Sequence, residues 1–235
     1  MNAVLTELLS THSVTAPSGR IFQTTVGVSR EDASFISDII NADPEIVRTL
    51  EVGCALGFSS LAICESTKAR SGAHHTIVDP FQVSGWEELG VFHLRKAGLD
   101  HFELVTEGSE FALPRLAKQM PESLDLVFID GDHTFEYTLV DLFFSDRLVR
   151  KGGYILVDDA SWHTVARAIY EYLVGNKKYR FHARHAGRRA PAKAMLANAA
   201  RPMATKGILR HLPDAVATKL MAVDLGDMVA FQKTG

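Results

Sequence analysis

An α/β fold is the architecture this 235-residue sequence predicts: a mostly parallel sheet of seven strands with helices on both faces. Three features point to it. From about residue 46, short apolar runs alternate with amphipathic stretches of helical length. The runs have the length of buried strands, and some, such as Leu126-Val127-Phe128-Ile129, are apolar throughout. Several of them stop at a glycine or an aspartate, as in Val52-Gly53, Val78-Asp79, Ile129-Asp130 and Val157-Asp158.

Residues 1–45 are expected to form a helical N-terminal cap, in which the capping box Ser29-x-x-Asp32 opens a helix to Asn41. The main domain, residues 46–235, begins with a strand at Val47–Val52 and a helix at Ser60–Ala69. His75–Val78 is the second strand. Ser84-x-x-Glu87 reads as another capping box, for a helix over Gly85–Ala97. Phe102–Val105 then leads to a helix at Glu110–Gln119, and Leu124–Ile129 to one at Phe135–Val149. Lys151-Gly152-Gly153 reads as a helix stop and a turn into the strand Gly153–Val157. A helix at His163–Val174 follows, and Tyr179–His185 and Met228–Lys233 alternate like a sixth and a seventh strand. Between those two strands, residues 186–227 are broken by Pro191, Pro202 and Pro213. They are expected to be an inserted basic excursion: a helical insertion, a dimer arm or a lid.

Composition narrows the class. The chain is 46% hydrophobic and 23% charged with a formal charge of -3, which suits one domain with a sizeable core. No apolar stretch is long enough to cross a bilayer, so no membrane partner is expected. Met1–Ser10 lacks the basic start and apolar stretch of a signal peptide. Cys54 and Cys64 cannot make a disulfide framework, and a reduced, cytoplasmic protein is the expectation. Between Glu171 and Asp214 there is no acid, while ten lysines and arginines fall there. Such a block can face nucleic acid, an anionic membrane or an anionic substrate. Sparse aromatics and the lack of a nucleic-acid motif favour a solvated excursion instead, with self-association into a homodimer as one option left open.

Chemistry is concentrated at the strand ends. Residues 128–133 read FIDGDH and residues 157–159 read VDD, so Asp130, Asp132, Asp158 and Asp159 would crowd together if their strands pair. Crowded carboxylates need a cation, a proton or a positive ligand. The first strand runs into Glu51-Val52-Gly53-Cys54-Ala55-Leu56-Gly57-Phe58-Ser59. Glycines here let backbone approach a ligand, and the helix that follows offers free N–H groups. The spacing is not the dinucleotide pattern G-x-G-x-x-G, which argues against a nicotinamide cofactor. An acid before the first glycine repels a pyrophosphate and welcomes a cationic ligand such as S-adenosylmethionine. Asp79, twenty-two residues after Gly57, is placed to accept both ribose hydroxyls of an adenosine ligand. Gly108-Ser109 sits at the next ridge of the same cleft; Ser109 is either an adenine contact or the N-cap of the next helix.

Taken together, these residues resemble the class I S-adenosylmethionine-dependent methyltransferases over roughly residues 46–185 and, more loosely, the final strand. Glu51-x-Gly53-x-x-x-Gly57-x-Ser59 looks like the first motif of the catechol and caffeoyl-CoA O-methyltransferase group. FIDGDH with a strand-end Asp-Asp looks closest to bacterial divalent-metal O-methyltransferases that tailor antibiotic sugars and other natural products. The resemblance implies a Rossmann-like sheet whose last strand is antiparallel. It assigns Glu51, Gly53, Gly57, Ser59, Asp79, Gly108, Ser109 and Asp130 to the cofactor, and Asp130, Asp158 and Asp159 to a divalent metal, Mg²⁺ by expectation. Asp132 is then the general base, with His133 as an assisting base or supporting partner. The plant and animal enzymes of the group carry Asn where this chain has Asp159, and a different base. The segment 18–25 becomes a candidate lid.

The implied activity is methyl transfer to a hydroxyl of a small molecule with adjacent oxygens, such as a catechol or a sugar diol. Mg²⁺ would lower the pKa of a bound hydroxyl and a carboxylate would take its proton. Each acid also has a plainer reading: Asp132 as the N-cap of a helix, His133 as a first-turn histidine, Asp158 and Asp159 as a solvated strand-end pair. Phe81, Trp86 and Trp162 are candidates for an acceptor pocket or for core. Two other functions stay open: a metal-independent small-molecule methyltransferase, and a non-catalytic protein that binds S-adenosylmethionine.

Overall fold

The structure is a computed structural model, and it describes residues 2–185 and 225–235. The N-terminal part consists of helix α1 (Ala3–Ser10), a two-stranded antiparallel hairpin of β1 (Ser13–Thr15) and β2 (Ile21–Gln23), and helix α2 (Arg30–Ala42). It is therefore a helix–hairpin–helix cap rather than a wholly helical one. Ser29 and Asp32 form the expected capping box at the start of α2.

The main sheet contains β3 (Arg48–Val52), β4 (His74–Val78), β5 (Phe102–Val105), β6 (Leu124–Ile129), β7 (Val149–Val157), β8 (Tyr179–His185) and β9 (Met228–Lys233). Their order across the sheet is β5-β4-β3-β6-β7-β9-β8. The first five in sequence are mutually parallel, and β9 runs antiparallel to both β7 and β8. Every residue of the central β6 is buried, as its apolar run requires. Helices α3 (Phe58–Thr67) and α4 (Leu89–Lys96) pack with α1 and α2 over one face. Helices α5 (Ser109–Gln119), α6 (Phe135–Leu148) and α7 (His163–Ile169) cover the other. The chain winds outward through β4 and β5, then crosses back to β6 on the far side of β3. That reversal opens a crevice beyond the carboxyl ends of β3 and β6.

Three local expectations are corrected. The segment Ser84-x-x-Glu87 makes no capping box: residues 81–88 form turns, Glu87 and Glu88 take left-handed backbone angles (φ 51° and 58°), and α4 begins at Leu89. Tertiary bonds override the local signal there, because the Gln82 amide donates to the Ala55 carbonyl (2.7 Å) and to Asp79 Oδ2 (2.9 Å). Lys151-Gly152-Gly153 lies inside β7, not before it. Leu124 pairs with Val149 and Leu126 with Tyr154, so the extra residues are taken up as an irregularity at Gly152 (φ 86°). The last helix stops at Ile169, and residues 170–174 form a single wider turn. The expected excursion at 186–227 lies almost wholly outside the described residues.

Asp125 ties the bottom of the sheet together. Its carboxylate accepts the amides of Val47 (2.8 Å) and Arg48 (2.7 Å) at the start of β3 and the Arg150 Nε (2.6 Å) in β7. Its side chain is 8% exposed, so removing it strands buried donors and the Arg150 charge. Asp125→Ala is expected to destabilise the protein by about 3 kcal/mol in urea denaturation, in the range for breaking a buried ion pair. A change under about 0.5 kcal/mol would refute the clamp, since that is the size of a neutral surface substitution.

Candidate active site

The glycine turn follows β3. Gly53 has φ 85°, and a Cβ there would overlap the carbonyl oxygen of Asp130. Only glycine allows the two strand ends to lie this close. Gly57, also at φ 85°, is the residue before α3, and a Cβ on it would meet the Gly90 carbonyl at 2.8 Å. Gly57 thus seats the helix against the neighbouring turn and does not itself wall the crevice. Glu51 is likewise not on the wall: it is fully buried, its Oε1 accepts the Ser60 hydroxyl, and it lies 3.6 Å from His75 Nε2. Strand alternation turns Glu51 into the sheet's helix-covered face, where it supports the turn from below. Neither Glu51 nor Gly57 is among the residues that line the cavity beside this turn.

Asp79 ends β4 and is 3% exposed. Its Oδ2 accepts the amides of Cys54 (3.1 Å) and Ala55 (3.0 Å), and its Oδ1 accepts the amide of Phe81 (2.8 Å). The acid and the glycine turn hold each other, on the wall of a cavity of about 540 Å³. Gly53, Ser59, Asp79, Gly108, Ser109 and Asp130 all line this cavity, together with Asp132 and His133. Gly108 is the residue before α5 and Ser109 its first helical residue, so Ser109 is not the N-cap.

The acids meet at the other end. His133 Nε2 lies 2.8 Å from Asp159 Oδ2 and 3.6 Å from Asp130 Oδ1, close enough for ion pairs but without the alignment of a hydrogen bond. The two carboxylates, Asp130 first, raise the His133 pKa to about 10. Asp130 is itself pushed up, by removal from water and by the Asp159 and Glu51 charges, against the pull of His133. Asp158 is held well above the usual carboxylate range by burial and by Asp130, Asp32 and Asp159. Asp159 sits at φ 48°, a left-handed angle that turns its side chain to face His133. Asp132 does not cap α6: its Oδ1 accepts the Thr134 amide (2.8 Å), and Thr134 is the N-cap.

The donors suit a divalent cation. Ligand atoms from Asp130, His133 and Asp159 lie within 4.8 Å of one another, and Asp158 presses on the same group electrostatically. Mutually destabilised carboxylates beside an imidazole form a hard oxygen-rich set of the kind Mg²⁺ or Mn²⁺ takes. Two placements go beyond the sequence reading. His133 stands among the donors rather than beside them, a placement signalled by its spacing of three from Asp130. Asp32, read only as a capping residue, also acts on Asp158 and lies 3.7 Å from His185.

The cap closes one side of the cavity through Val26, Gly27 and Val28. Arg20 donates to the Gly85 carbonyl (3.0 Å) and stacks over Phe22, whose ring packs against Trp86. Trp86 is therefore a wall held by the cap, while Phe81 is 61% exposed at the opening. Trp162 packs on the His133 ring, with centroids 4.9 Å apart. Among the described residues no helix is long and apolar enough to cross a membrane.

Comparison with known proteins agrees with this geometry. Residues 50–160 match the methyltransferase domain family. An O-methyltransferase from Bacillus cereus, solved in complex with SAH, superposes with a TM-score of 0.63 at 17% identity, covering 77% of this chain and 83% of that one. TomG from Streptomyces achromogenes, an O-methyltransferase involved in tomaymycin synthesis and solved with SAM, gives 0.64 at 16% identity, covering 100% and 91%. An uncharacterized protein of Acanthamoeba polyphaga mimivirus is 29% identical over 87 residues, 35% of this chain, and the chain spans 38% of that relative's length. The fold is that of the class I methyltransferases. Over residues 50–160 the chain is similar to a methyltransferase domain, within the sheet topology these structures share.

One buried acid stands apart from the cluster. Asp141 on α6 is fully buried, and burial, with the Glu110 and Asp132 charges, raises its pKa to about 7. A carboxyl whose folded pKa lies above its unfolded value holds its proton longer in the folded state. Folding stability therefore falls as pH rises from about 4 through about 7. Asp141→Asn is expected to stabilise the protein by roughly 2 kcal/mol at pH 8, with the gain vanishing towards pH 4. Thermal unfolding across that range checks it, and a pH-independent difference would exclude a raised Asp141 pKa.

Proposed function

We propose that this protein transfers a methyl group from S-adenosylmethionine to a hydroxyl of a small molecule that carries adjacent oxygens, with the help of a divalent cation. The observation that carries the reading is the meeting, in one cavity, of the Gly53 turn and Asp79 with Asp130, Asp132 and His133, the last of which Asp159 approaches at 2.8 Å. A nucleoside end and a charged reacting end are thereby set at the two sides of a single space. The fold shared with O-methyltransferases supports the oxygen acceptor.

In this reading Asp79 accepts the ribose hydroxyls, and the amides at the start of α3 and the Gly53 backbone face the methionine portion. Asp130, Asp158 and Asp159 hold the cation, with His133 beside them. The cation, when bound, makes a coordinated hydroxyl more acidic and orients it. Asp132, held at Oδ1 by the Thr134 amide, takes the hydroxyl proton. The acceptor oxygen forms a bond to the methyl carbon as the carbon–sulfur bond breaks, its electron pair passing to sulfur. Trp162, Phe81 and the cap keep water from the acceptor and steer a flat or ring-shaped molecule towards Asp132. A hydroxylated natural product fits these demands.

A second reading has support in the 2.8 Å approach of His133 to Asp159. A charged imidazolium relieves the acids without a metal, and Asp132 then acts alone as base. Excess EDTA separates the two readings. On a catechol and sugar-diol panel, the metal-assisted enzyme loses turnover with chelator and regains it with Mg²⁺ or Mn²⁺. Undiminished turnover in EDTA would instead establish the metal-free route.

Two substitutions test the assignments. Asp132→Asn is expected to lower kcat about 10²-fold or more, as for loss of a general base, while S-adenosylhomocysteine affinity stays within about threefold by calorimetry. Asp158→Ala should weaken Mn²⁺ binding at least about tenfold, read by electron paramagnetic resonance. Unchanged Mn²⁺ affinity would remove Asp158 from the ligand set.

A further inference from the structure

The His133 ring brings a buried nitrogen into the gap between two carboxylates. Its Nε2 lies 2.8 Å from Asp159 Oδ2 and 3.6 Å from Asp130 Oδ1, yet has no hydrogen-bond partner among the described residues. Ligand atoms of His133, Asp130 and Asp159 all fall within 4.8 Å of one another. No other three histidine, cysteine or acidic side chains gather so closely among the described residues. Atoms that share an ion at about 2.1 Å stand about 3.0 Å apart when adjacent and about 4.2 Å when opposite. The observed separations are of that size.

The surroundings hold the imidazole in this position. Thr164 Oγ1 donates to the His133 carbonyl (2.5 Å) and so fixes its backbone. The Trp162 ring lies on the imidazole, with centroids 4.9 Å apart and planes inclined by 35°. The Trp162 amide in turn donates to the Asp159 carbonyl (2.8 Å). One turn, Asp159 to Trp162, thus supplies both a carboxylate and the surface that orients the ring facing it. The side chains of His133, Asp130 and Asp159 are 32%, 23% and 35% exposed, which leaves an ion a route in from solvent.

We propose that His133 Nε2 is itself a ligand of the cation, beside Asp130 and Asp159, and that this nitrogen makes the site favour a later first-row ion such as Ni²⁺ over Mg²⁺. This rests on the metal-assisted reading above, and it departs from the all-aspartate ligand set that the sequence resemblance implies. Mg²⁺ takes oxygen ligands, whereas an imidazole adds affinity for the later first-row ions. As the ion takes the Nε2 lone pair, the proton on that nitrogen leaves to solvent. With the ion bound, His133 has no lone pair for the acceptor hydroxyl, and the base is Asp132 alone.

Mn²⁺ bound to the full chain is the probe. Its pulsed electron paramagnetic resonance spectrum is expected to show a nitrogen coupling that shifts with isotope-labelled histidine and is lost in His133→Ala. Displacement of bound Mn²⁺ gives the other affinities. Wild type should favour Ni²⁺ over Mg²⁺, and His133→Asp, which makes the set all oxygen, should cut that ratio at least about tenfold. A ligand and a mere positive partner of the acids differ in sign. Loss of a ligand in His133→Ala weakens Mn²⁺ binding at least about tenfold. Loss of a positive partner frees the acids for the cation, and binding holds or strengthens. Bound Mn²⁺ without a nitrogen coupling, a coupling that survives in His133→Ala, or Mn²⁺ affinity that holds or rises there overturns the proposal and leaves the metal-assisted reading standing. So does an unchanged Ni²⁺ to Mg²⁺ ratio in His133→Asp. If neither variant folds, labelled wild type decides alone: a histidine-derived coupling upholds the proposal and its absence overturns it. Wild type that binds no Mn²⁺ overturns the metal-assisted reading itself.

Discussion

The backbone of Gly53 and the carbonyl of Asp130 occupy neighbouring positions with no room for a side chain between them. Sheet hydrogen bonds continue past both strand ends here, from the Gly53 amide to the Val78 carbonyl and from the Asp130 amide to the Val52 carbonyl (2.9 Å each). The turn after β3 and the acid loop after β6 are thus packed backbone to backbone at the point where the strand order reverses. Any ligand held on the turn would lie beside the acids without an intervening layer. The cavity, Asp79 and Asp132 all take their places relative to that contact.

Charge governs the rest of the site. Asp130, Asp158 and Asp159, with Asp32 behind them, are too many carboxylates for their surroundings, and the protein meets this in part with His133. The arrangement is a preorganised demand for positive charge. Asp79 shows the opposite solution: the amides of Cys54, Ala55 and Phe81 satisfy and orient its carboxylate. Two aspartates at equivalent strand ends therefore differ in chemistry because one is met by backbone donors and the other by like charges.

Most of the elements were legible in the sequence because each depends on local pattern: apolar runs of strand length, amphipathic stretches between them, and the Ser29 capping box. The failures came where distant groups outbid local preference. Gln82 draws residues 81–88 into turns, so the Ser84 box never forms. Pairing of Leu124 with Val149 starts β7 before the two glycines expected to precede it. The burial of Glu51 beside Ser60 and His75 was not legible, because a strand's alternation fixes which face a residue takes only once its neighbours are known. Asp141 sat unnoticed within an amphipathic helix, since nothing in its local sequence distinguishes a buried acid from a solvated one.

By itself the sequence determined the α/β class, the glycine turn, the acid at the end of the second strand and the two aspartate clusters, since each is a short-range pattern with a short-range physical cause. Only the tertiary structure decided which of those groups share a space. Strand order brought residues 53 and 130 together, a left-handed backbone at Asp159 turned it to His133, and helix packing set Asp141 behind Gly131. These are non-local events, made by packing a twisted sheet between two helical layers, and no window along the chain records them.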